Sequence, residues 1–344
     1  MREGGLRPFI VPIFIPNMGC PHRCIFCEQR RITSQPSQDL KGKDIEDILD
    51  RAIRSGNFNQ RKAPEIAFYG GTFTGLPFDR MEEFLEIAAR YTKKGPFRSI
   101  RVSTRPDALD PERLKAMKGK GVRTVEVGAQ SMDDQVLRLS RRGHNAEDTI
   151  KAVEVLKSYG FRVGIQLMPG LPGDSEEKFQ ETITRVIDLR PHSVRLYPAL
   201  IIRGTGLARL YREGKYRPLD LTDAVSICLE GCIRLETEGI PVIRIGLMAS
   251  PSLLEEGQIV AGPWHPAFGF LVRSAIHQKT IGPDLPGPGT ASQIRILAPQ
   301  RDIPLVRGHR NQGLLWIEKK TGARVLGVQA DNTIPRGRVR VEVV

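Results

Sequence analysis

The chain of 344 residues is poor in cysteine and has no long apolar run, and each shortage excludes a class of protein. Five cysteines are too few for a disulfide framework in a chain of this length. No apolar run reaches the length of a membrane span. The apolar stretch near the N-terminus is short, and Pro12 and Pro16 interrupt it. We therefore expect a buried first strand there, not a signal peptide, and a cytoplasmic protein.

Acidic residues are also in short supply relative to basic ones. The chain has 52 Lys and Arg against 39 Asp and Glu, which gives a formal net charge of +13. Such a balance favours an anionic partner, and nucleic acid is the usual one. The alternative is an ordinary solubility charge.

Short β-type runs alternate with amphipathic helical stretches through most of the chain. The predicted strands are 9–15, 65–69, 99–103, 124–128, 162–167, 193–197 and 242–245. The predicted helices between them include 44–55, 80–91, 111–118, 146–158 and 176–189. This alternation predicts an α/β fold with parallel strands, in a doubly wound sheet or a barrel. Chemistry in such folds lies where strands end, and GGT, TRPD, QS and MPGLPG follow the second to fifth strands.

The sequence changes character near residue 248, which predicts a core of residues 1–248 and an appendage of residues 249–344. Residues 250–290 are rich in Gly and Pro and predict irregular structure. Four β-type runs follow, and they predict a small antiparallel, β-rich subdomain at 294–297, 314–318, 324–328 and 339–343.

Three cysteines, Cys20, Cys24 and Cys27, stand in the spacing C-x3-C-x2-C. Thiolates are the standard ligands of iron–sulfur clusters, and three on one short loop can bind three irons of a [4Fe–4S] cubane. The fourth iron is then open to the amine and carboxylate of S-adenosylmethionine (SAM), whose reductive cleavage releases a 5′-deoxyadenosyl radical. The alternative is zinc, which needs a fourth ligand. His22 lies inside the loop, and no second cysteine pair follows at zinc-ribbon spacing.

The remaining cysteines, Cys228 and Cys232, are four residues apart on a predicted helix at 222–238. Buried cysteine behaves as a small hydrophobic residue, so we expect these two to pack in the core.

Two segments resemble the signatures of the radical SAM superfamily. GCPHRCIFC at 19–27 resembles its cluster motif, including the aromatic Phe26 before the last cysteine. YGGTFTGLP at 69–77 resembles its glycine-rich motif, which implies that Gly70, Gly71 and Thr72 contact the SAM amino group. Glycine has no side chain, so the main chain at Gly70 and Gly71 can approach a ligand closely.

Residues 195–216, 125–137 and 142–144 resemble the radical SAM domain of the Elongator catalytic subunit, a tRNA wobble-uridine modification enzyme. The likeness implies a partial (β/α)6-type barrel and a tRNA substrate. It does not extend to the acetyltransferase domain of that family, because the residues after the core have no convincing acetyl-CoA-binding glycine pattern.

Other positions resemble oxygen-independent coproporphyrinogen oxidase. That likeness implies that Gln130 and Arg142 bind the ribose and carboxylate of SAM, and that Met168 lines the adenine pocket. Ser103 and Gln166 stand at strand-end positions that are acidic in that enzyme. The alternatives are a buried residue at the start of a helix for Gln130 and a surface cation for Arg142.

Together these patterns predict a radical SAM enzyme that modifies an RNA base, with tRNA as partner and a reductant such as ferredoxin or flavodoxin. The alternatives are a small metabolite or porphyrin-like substrate, and a cluster-containing RNA-binding protein without turnover. Several residues extend the RNA hypothesis. Trp264, His265 and Phe268 could stack on a base or form an apolar plug, His144 could transfer a proton, and phosphate could bind Arg30, Arg31 or one face of Arg336, Arg338 and Arg340.

Overall fold

Seven parallel strands form the main sheet of this computed structural model, which describes residues 9–35, 40–59 and 63–344. The first nine strands are β1 (Ile10–Phe14), β2 (Glu65–Tyr69), β3 (Ser99–Thr104), β4 (Val122–Gln130), β5 (Arg162–Leu167), β6 (Ser193–Leu196), β7 (Ile201–Ile202), β8 (Val242–Ile245) and β9 (Ile259–Ala261). The sheet has the order β1-β2-β3-β4-β5-β6-β8 and curls into a half-barrel. β7 and β9 pair antiparallel beside it. The prediction of a partial barrel is confirmed.

Helices connect these strands and begin where the sequence signals predict. They are α1 (Gln29–Thr33), α2 (Gly42–Arg54), α3 (Phe78–Lys93), α4 (Pro111–Gly119), α5 (Asp134–Leu139), α6 (Ala146–Ser158), α7 (Glu176–Asp188), α8 (Gly206–Arg212), α9 (Leu221–Thr237) and α10 (Pro251–Leu254). Asp110 accepts a hydrogen bond from the backbone N–H of Arg113 in front of Pro111, and Asn145 forms a capping box with Asp148.

The two faces of the sheet differ in chemistry because side chains alternate along each strand. One face carries fully buried apolar side chains, such as Ile66 and Phe68 on β2 and Val102 on β3. Phe68 stacks on Phe84 of α3, so this face packs against the surrounding helices. The opposite face carries most of the polar residues of the strands, and the candidate site lies on that side.

The chain divides into two compact units, one of Met1–Asp220 with Leu235–Trp264 and one of Leu221–Arg234 with His265–Val344. The second contains α11 (Phe268–Ile281), α12 (Ile303–Arg307), α13 (Gln312–Thr321), β10 (Gln293–Ala298), β11 (Arg324–Ala330) and β12 (Arg340–Val343). Its core includes Ile281, Ile294, Ile296, Val306 and Ile317. The division at residue 248 stays a prediction about domains.

Three expectations for the C-terminal region are wrong. Residues 314–318 belong to α13 and not to a strand, because Gly313, Ile317 and Thr321 face the core at helical spacing. The stretch predicted to be irregular contains the long helix α11. The sheet is mixed and not purely antiparallel, since β10 pairs parallel with β11 and antiparallel with β12.

Within the part of the chain that the structure describes, no helix combines the length and the apolar character that crossing a membrane requires.

Candidate functional site: a cysteine loop at the carboxyl ends of the strands

The three cysteines lie on an irregular loop that runs from β1 to α1. Two tight turns shape it, in which the backbone N–H of Cys20 donates to the Asn17 carbonyl and that of Cys27 to the Cys24 carbonyl. Gly19 makes the closest approach to the loop after β2. Its φ is +69°, and a Cβ there would lie 2.2 Å from the carbonyl oxygen of Thr72. Only glycine fits this position.

The three cysteines lie near one another on this loop. Burial, and then the charges of Cys24 and Cys20, raise the pKa of the Cys27 thiol to about 12. Three thiolates brought together in a buried place need a positively charged group among them. Among the described residues, no set of three His, Cys, Asp or Glu side chains is arranged to hold a single metal ion.

Each sulfur also has a polar group beside it. Thr72 Oγ1 lies 3.2 Å from Cys20 Sγ, and Arg142 Nη1 donates to Cys24 Sγ over 2.9 Å. Asn17 Nδ2 lies 3.9 Å from Cys27 Sγ. Donors of this kind stabilise ligating thiolates, so the residues present fit an iron–sulfur cluster.

The segment between α5 and α6 clamps the cysteine loop. The backbone N–H of Ile25 donates to the Ser140 carbonyl over 3.3 Å. His22 Nε2 lies 3.0 and 3.1 Å from the carbonyl oxygens of Arg141 and Arg142, and Arg105 Nη1 lies 3.3 Å from the same nitrogen. Sequence reasoning set His22 aside as a weak zinc ligand and missed this role. The ring of His22 also contacts Gly143, and only the folded chain shows this contact.

Arg142 is buried at the centre of this clamp. Besides its bond to Cys24, its Nη2 donates to the Gly128 carbonyl over 2.5 Å and its Nε donates to His144 Nε2 over 3.2 Å. His144 is therefore a neutral acceptor at Nε2, with Nδ1 3.2 Å from the Asn145 carbonyl. Burial, and then the charge of Arg142, lowers the pKa of His144 to about 4. The alternative of a surface cation for Arg142 is wrong.

The glycine-rich segment packs directly behind the cysteine loop. The space of a Cβ on Gly71 is filled by the carbonyl oxygens of Met18 and Ile15, at 2.4 and 2.5 Å. Gly71 thus lets two loops pack together, whereas Gly70 adopts a φ of +98° that favours glycine. The backbone N–H of Thr72 donates to the Met18 carbonyl over 2.9 Å. Contact of this segment with SAM stays a prediction.

The other SAM-contact candidates lie at the ends of neighbouring strands. Gln130 is buried with a φ of +73°, and its Oε1 accepts from Gln166 Nε2 over 3.1 Å. Ser103 is half-buried on β3. Phe26 and Met168 pack against the same apolar cluster of Val136, Leu171 and Ala199. The structure therefore brings the side-chain amides of Gln130 and Gln166 into contact, and it places Phe26 and Met168 against one apolar cluster.

A buried ionic network, which sequence reasoning missed, crosses the polar face of the sheet. Glu126 Oε1 accepts from Arg101 Nη1 over 2.6 Å and from Arg195 Nη2 over 2.9 Å. Arg101 also forms two hydrogen bonds with Glu65 Oε2, and Arg195 donates to the Tyr69 hydroxyl over 2.5 Å. Burial raises the pKa of Tyr69, so this hydroxyl keeps its proton. The network ties β2, β3, β4 and β6 together directly before the glycine-rich segment.

A signal for this network was present in the sequence. Each of the predicted strands 99–103, 124–128 and 193–197 contains a single charged residue, which is Arg101, Glu126 or Arg195. A charge in such a strand must be paired when it is buried.

The remaining candidates lie elsewhere. Cys228 and Cys232 are fully buried on α9, as expected for core residues. Arg336 and Arg338 precede β12 in a turn and only Arg340 lies on it, so strand alternation does not align the three. Arg338 pairs with Asp284 and Arg340 pairs with Asp331.

The residues predicted to stack on a base belong to different units: Trp264 to the first, and His265 and Phe268 to the second. Trp264 packs against Leu200, Ile202 and Leu253 in the first, whereas His265 contacts the ring of His309 in the second. Base stacking by these three residues stays a prediction, as does phosphate binding by Arg30 and Arg31.

A half-barrel of parallel strands with a three-cysteine loop after β1 defines a class of protein. The family described as the radical SAM superfamily matches residues 14–186, half of the chain, and the radical SAM C-terminal domain matches residues 191–278. The chain therefore belongs to the radical SAM superfamily. Membership implies a [4Fe–4S] cluster and SAM as cofactors.

Proteins similar to this chain occur in archaea and in other organisms. A tRNA uridine(34) acetyltransferase of Methanocaldococcus infernus is 28% identical over 256 residues, which are 63% of this chain and 48% of that protein. The uncharacterized protein MJ0486 of Methanocaldococcus jannaschii is 30% identical over 232 residues, 64% of this chain and 69% of that protein. The solved structure of M. infernus Elp3 with an N-terminal deletion shares the fold, with a TM-score of 0.62, 21% identity and coverage of 79% of this chain and 64% of that one. The chain spans about half the length of the curated acetyltransferases it matches.

Proposed function

We propose that this protein cleaves SAM reductively at a [4Fe–4S] cluster held by Cys20, Cys24 and Cys27, and uses the radical to modify a base in tRNA. The observation that carries the proposal is the loop of three cysteines, each with a polar group beside its sulfur atom, packed against the glycine-rich segment. A reduced cluster of this kind, when bound, supplies the electron that breaks a C–S bond of SAM.

The residues of the chain divide the remaining work. Gly70, Gly71 and Thr72 are expected to present main-chain groups to the amino group of SAM, and the Gln130–Gln166 pair to bind its ribose. Ser103 lies beside Glu126 in the sheet register and faces the same side of the sheet. Phe26 and Met168 shield the adenine side from water by packing on one apolar cluster.

The choice of tRNA rests on two supports. Relatives that match the core are named as tRNA uridine(34) acetyltransferases, and the net charge of +13 suits a polyanion. Radical chemistry on a base also requires an unstacked nucleotide, which a half-barrel can admit at its open end. A ferredoxin or flavodoxin would supply electrons, and the cytoplasm is the expected compartment.

The first experiment tests the cluster and SAM cleavage. Anaerobically reconstituted protein should bind about four irons and, with dithionite, convert SAM to 5′-deoxyadenosine and methionine. Cys24→Ala should abolish both properties. Cys228→Ala is the matched control, because Cys228 is an equally buried cysteine on α9, and it should retain both. Loss of the cluster in the control would contradict the ligand assignment.

The second experiment tests the substrate. Added tRNA should increase the rate of 5′-deoxyadenosine formation, and tRNA should bind more tightly than double-stranded DNA, with an affinity that falls steeply between about 50 and 200 mM salt. Changing Arg336, Arg338 and Arg340 together to Ser should reduce tRNA affinity, because it removes three cations that can contact phosphates. No stimulation by tRNA together with a flat salt dependence would favour a small metabolite or porphyrin-like substrate instead.

A further inference from the structure

We propose that Arg142 sets the reduction potential of the cluster by donating a charged hydrogen bond to the sulfur of Cys24, and that His144 positions it to do so. This inference rests on the proposed function, because it requires a cluster on the cysteine loop. It assigns to Arg142 a role toward the cluster, where family likeness assigns it to the carboxylate of SAM.

The contacts of the guanidinium carry the inference. Arg142 Nη1 lies 2.9 Å from Cys24 Sγ, and the other two nitrogens donate to Gly128 O and His144 Nε2. Three of the five N–H groups of the side chain are thus committed to this chain, one on each nitrogen. The plane and the reach of the guanidinium are therefore fixed with one N–H directed at a ligating sulfur.

The surroundings make this hydrogen bond strong. Arg142 and Cys24 are both buried, so water screens the contact little. Reduction adds negative charge to a cluster, and a cationic donor at a ligating sulfur stabilises the reduced state more than the oxidised one. The contact should raise the midpoint potential and make the cluster easier to reduce.

His144 supplies the acceptor that orients Arg142. Its Nε2 accepts from Arg142 Nε, and its ring is buried with the other nitrogen beside the Asn145 carbonyl. Without this acceptor the guanidinium would keep its charge but lose one of the three contacts that hold it against Cys24. His144 is therefore a positioning residue, and the proton-transfer role is not needed to explain its place.

The test is an EPR-monitored redox titration of the reconstituted full chain without SAM. Arg142→Gln should lower the ratio of reduced to oxidised cluster at a given potential by about tenfold, which for a one-electron couple is a shift of about 59 mV. Arg142→Lys keeps the charge but not the forked guanidinium, so its midpoint potential should lie between those of Arg142→Gln and the natural protein.

Arg141→Gln is the matched control. It removes the same charge from the neighbouring residue, whose side chain is exposed. Its potential should stay close to that of the natural protein. His144→Ala should shift the potential in the same direction as Arg142→Gln but by less. His144→Gln keeps a hydrogen-bond acceptor, so its potential should return most of the way to that of the natural protein.

Equal potentials for the natural protein and the Arg142→Gln and Arg142→Lys variants, with SAM affinity lowered instead, would overturn the inference and return Arg142 to the carboxylate of SAM. An equal shift in Arg141→Gln would also overturn it, because the effect would then be one of long-range charge. If Arg142→Gln fails to retain iron, Arg142→Lys and His144→Ala decide the question by the same titration. Failure of the natural protein to bind iron would instead refute the proposed function.

Discussion

A Cβ atom on Gly143 would lie 2.4 Å from Cε1 of His22, so the missing side chain at residue 143 is what lets the cysteine loop rest on the segment after α5. The two residues are 121 positions apart in the chain. Because His22 lies between Cys20 and Cys24, a change at Gly143 acts on the cysteine loop without touching a ligand.

We expect Gly143→Ala to displace His22 and to increase the rate at which the reconstituted cluster is lost in air, measured by its visible absorbance. The control is Gly204→Ala. Gly204 has a similar positive φ, +85° against +72°, but open space where the Cβ would stand. Both variants bear the backbone strain of a positive φ, about 1–2 kcal/mol. Equal cluster lifetimes in the two variants would show that the His22 contact does not matter.

The buried network predicts a large loss of stability when its centre is changed. Glu126→Gln leaves Arg101 and Arg195 without the carboxylate between them, and removal of one partner from a buried ion pair costs about 3–5 kcal/mol. Urea unfolding measures the difference. Glu86→Gln removes an exposed carboxylate that pairs with Lys120, and it should have little effect. A Glu126→Gln variant as stable as the Glu86→Gln variant would mean that the network is not formed.

Asp174 predicts a pH dependence of the loop after β5. Burial raises the pKa of Asp174 from 3.8 to about 6, despite hydrogen bonds to its carboxylate from the backbone N–H groups of Gly170 and Ser175. Between pH 4 and 6 the folded chain thus binds more protons at this residue than the unfolded chain, so its contribution to stability falls as the pH rises. The full difference is up to about 3 kcal/mol.

Asp174→Asn should remove that slope, although the amide loses one of the two backbone hydrogen bonds. His144 acts in the opposite direction, because its lowered pKa makes stability rise between about pH 4 and 6.5. The informative quantity is therefore the difference in unfolding free energy between the natural chain and the variant, measured at several pH values. A difference that does not change with pH would refute the raised pKa.

The amide pair at the strand ends predicts a modest effect on SAM binding. Gln130→Ala removes one neutral hydrogen-bonding group, which is worth about 1 kcal/mol, so SAM affinity should fall about fivefold in calorimetric titration. Gln135→Ala, a change of the same kind at an exposed residue of α5, should leave the affinity unchanged. If the two variants bind SAM equally well, Gln130 is not a SAM ligand.

Most elements of the half-barrel were predictable because their patterns are local. The strand Glu65–Tyr69 and the helix Ala146–Ser158 have the limits that periodicity and capping residues indicate. The prediction failed at residues 314–318, where a short run of four apolar residues followed by Glu318 fits a strand and also fits one turn and a half of a helix. A short run of this kind is decided by what it packs against, and here Ile317 joins the core of its unit.

The sequence by itself determined which cysteines lie together, because Cys20, Cys24 and Cys27 stand within eight residues and no folding is needed to bring them near one another. Only the tertiary structure decided what surrounds them. Arg142 reaches Cys24 across 118 residues, and Glu126 joins side chains from strands that are far apart in sequence. Such contacts depend on the register of parallel strands and on the curl of the sheet. The spacing of residues along the chain predicts neither of these.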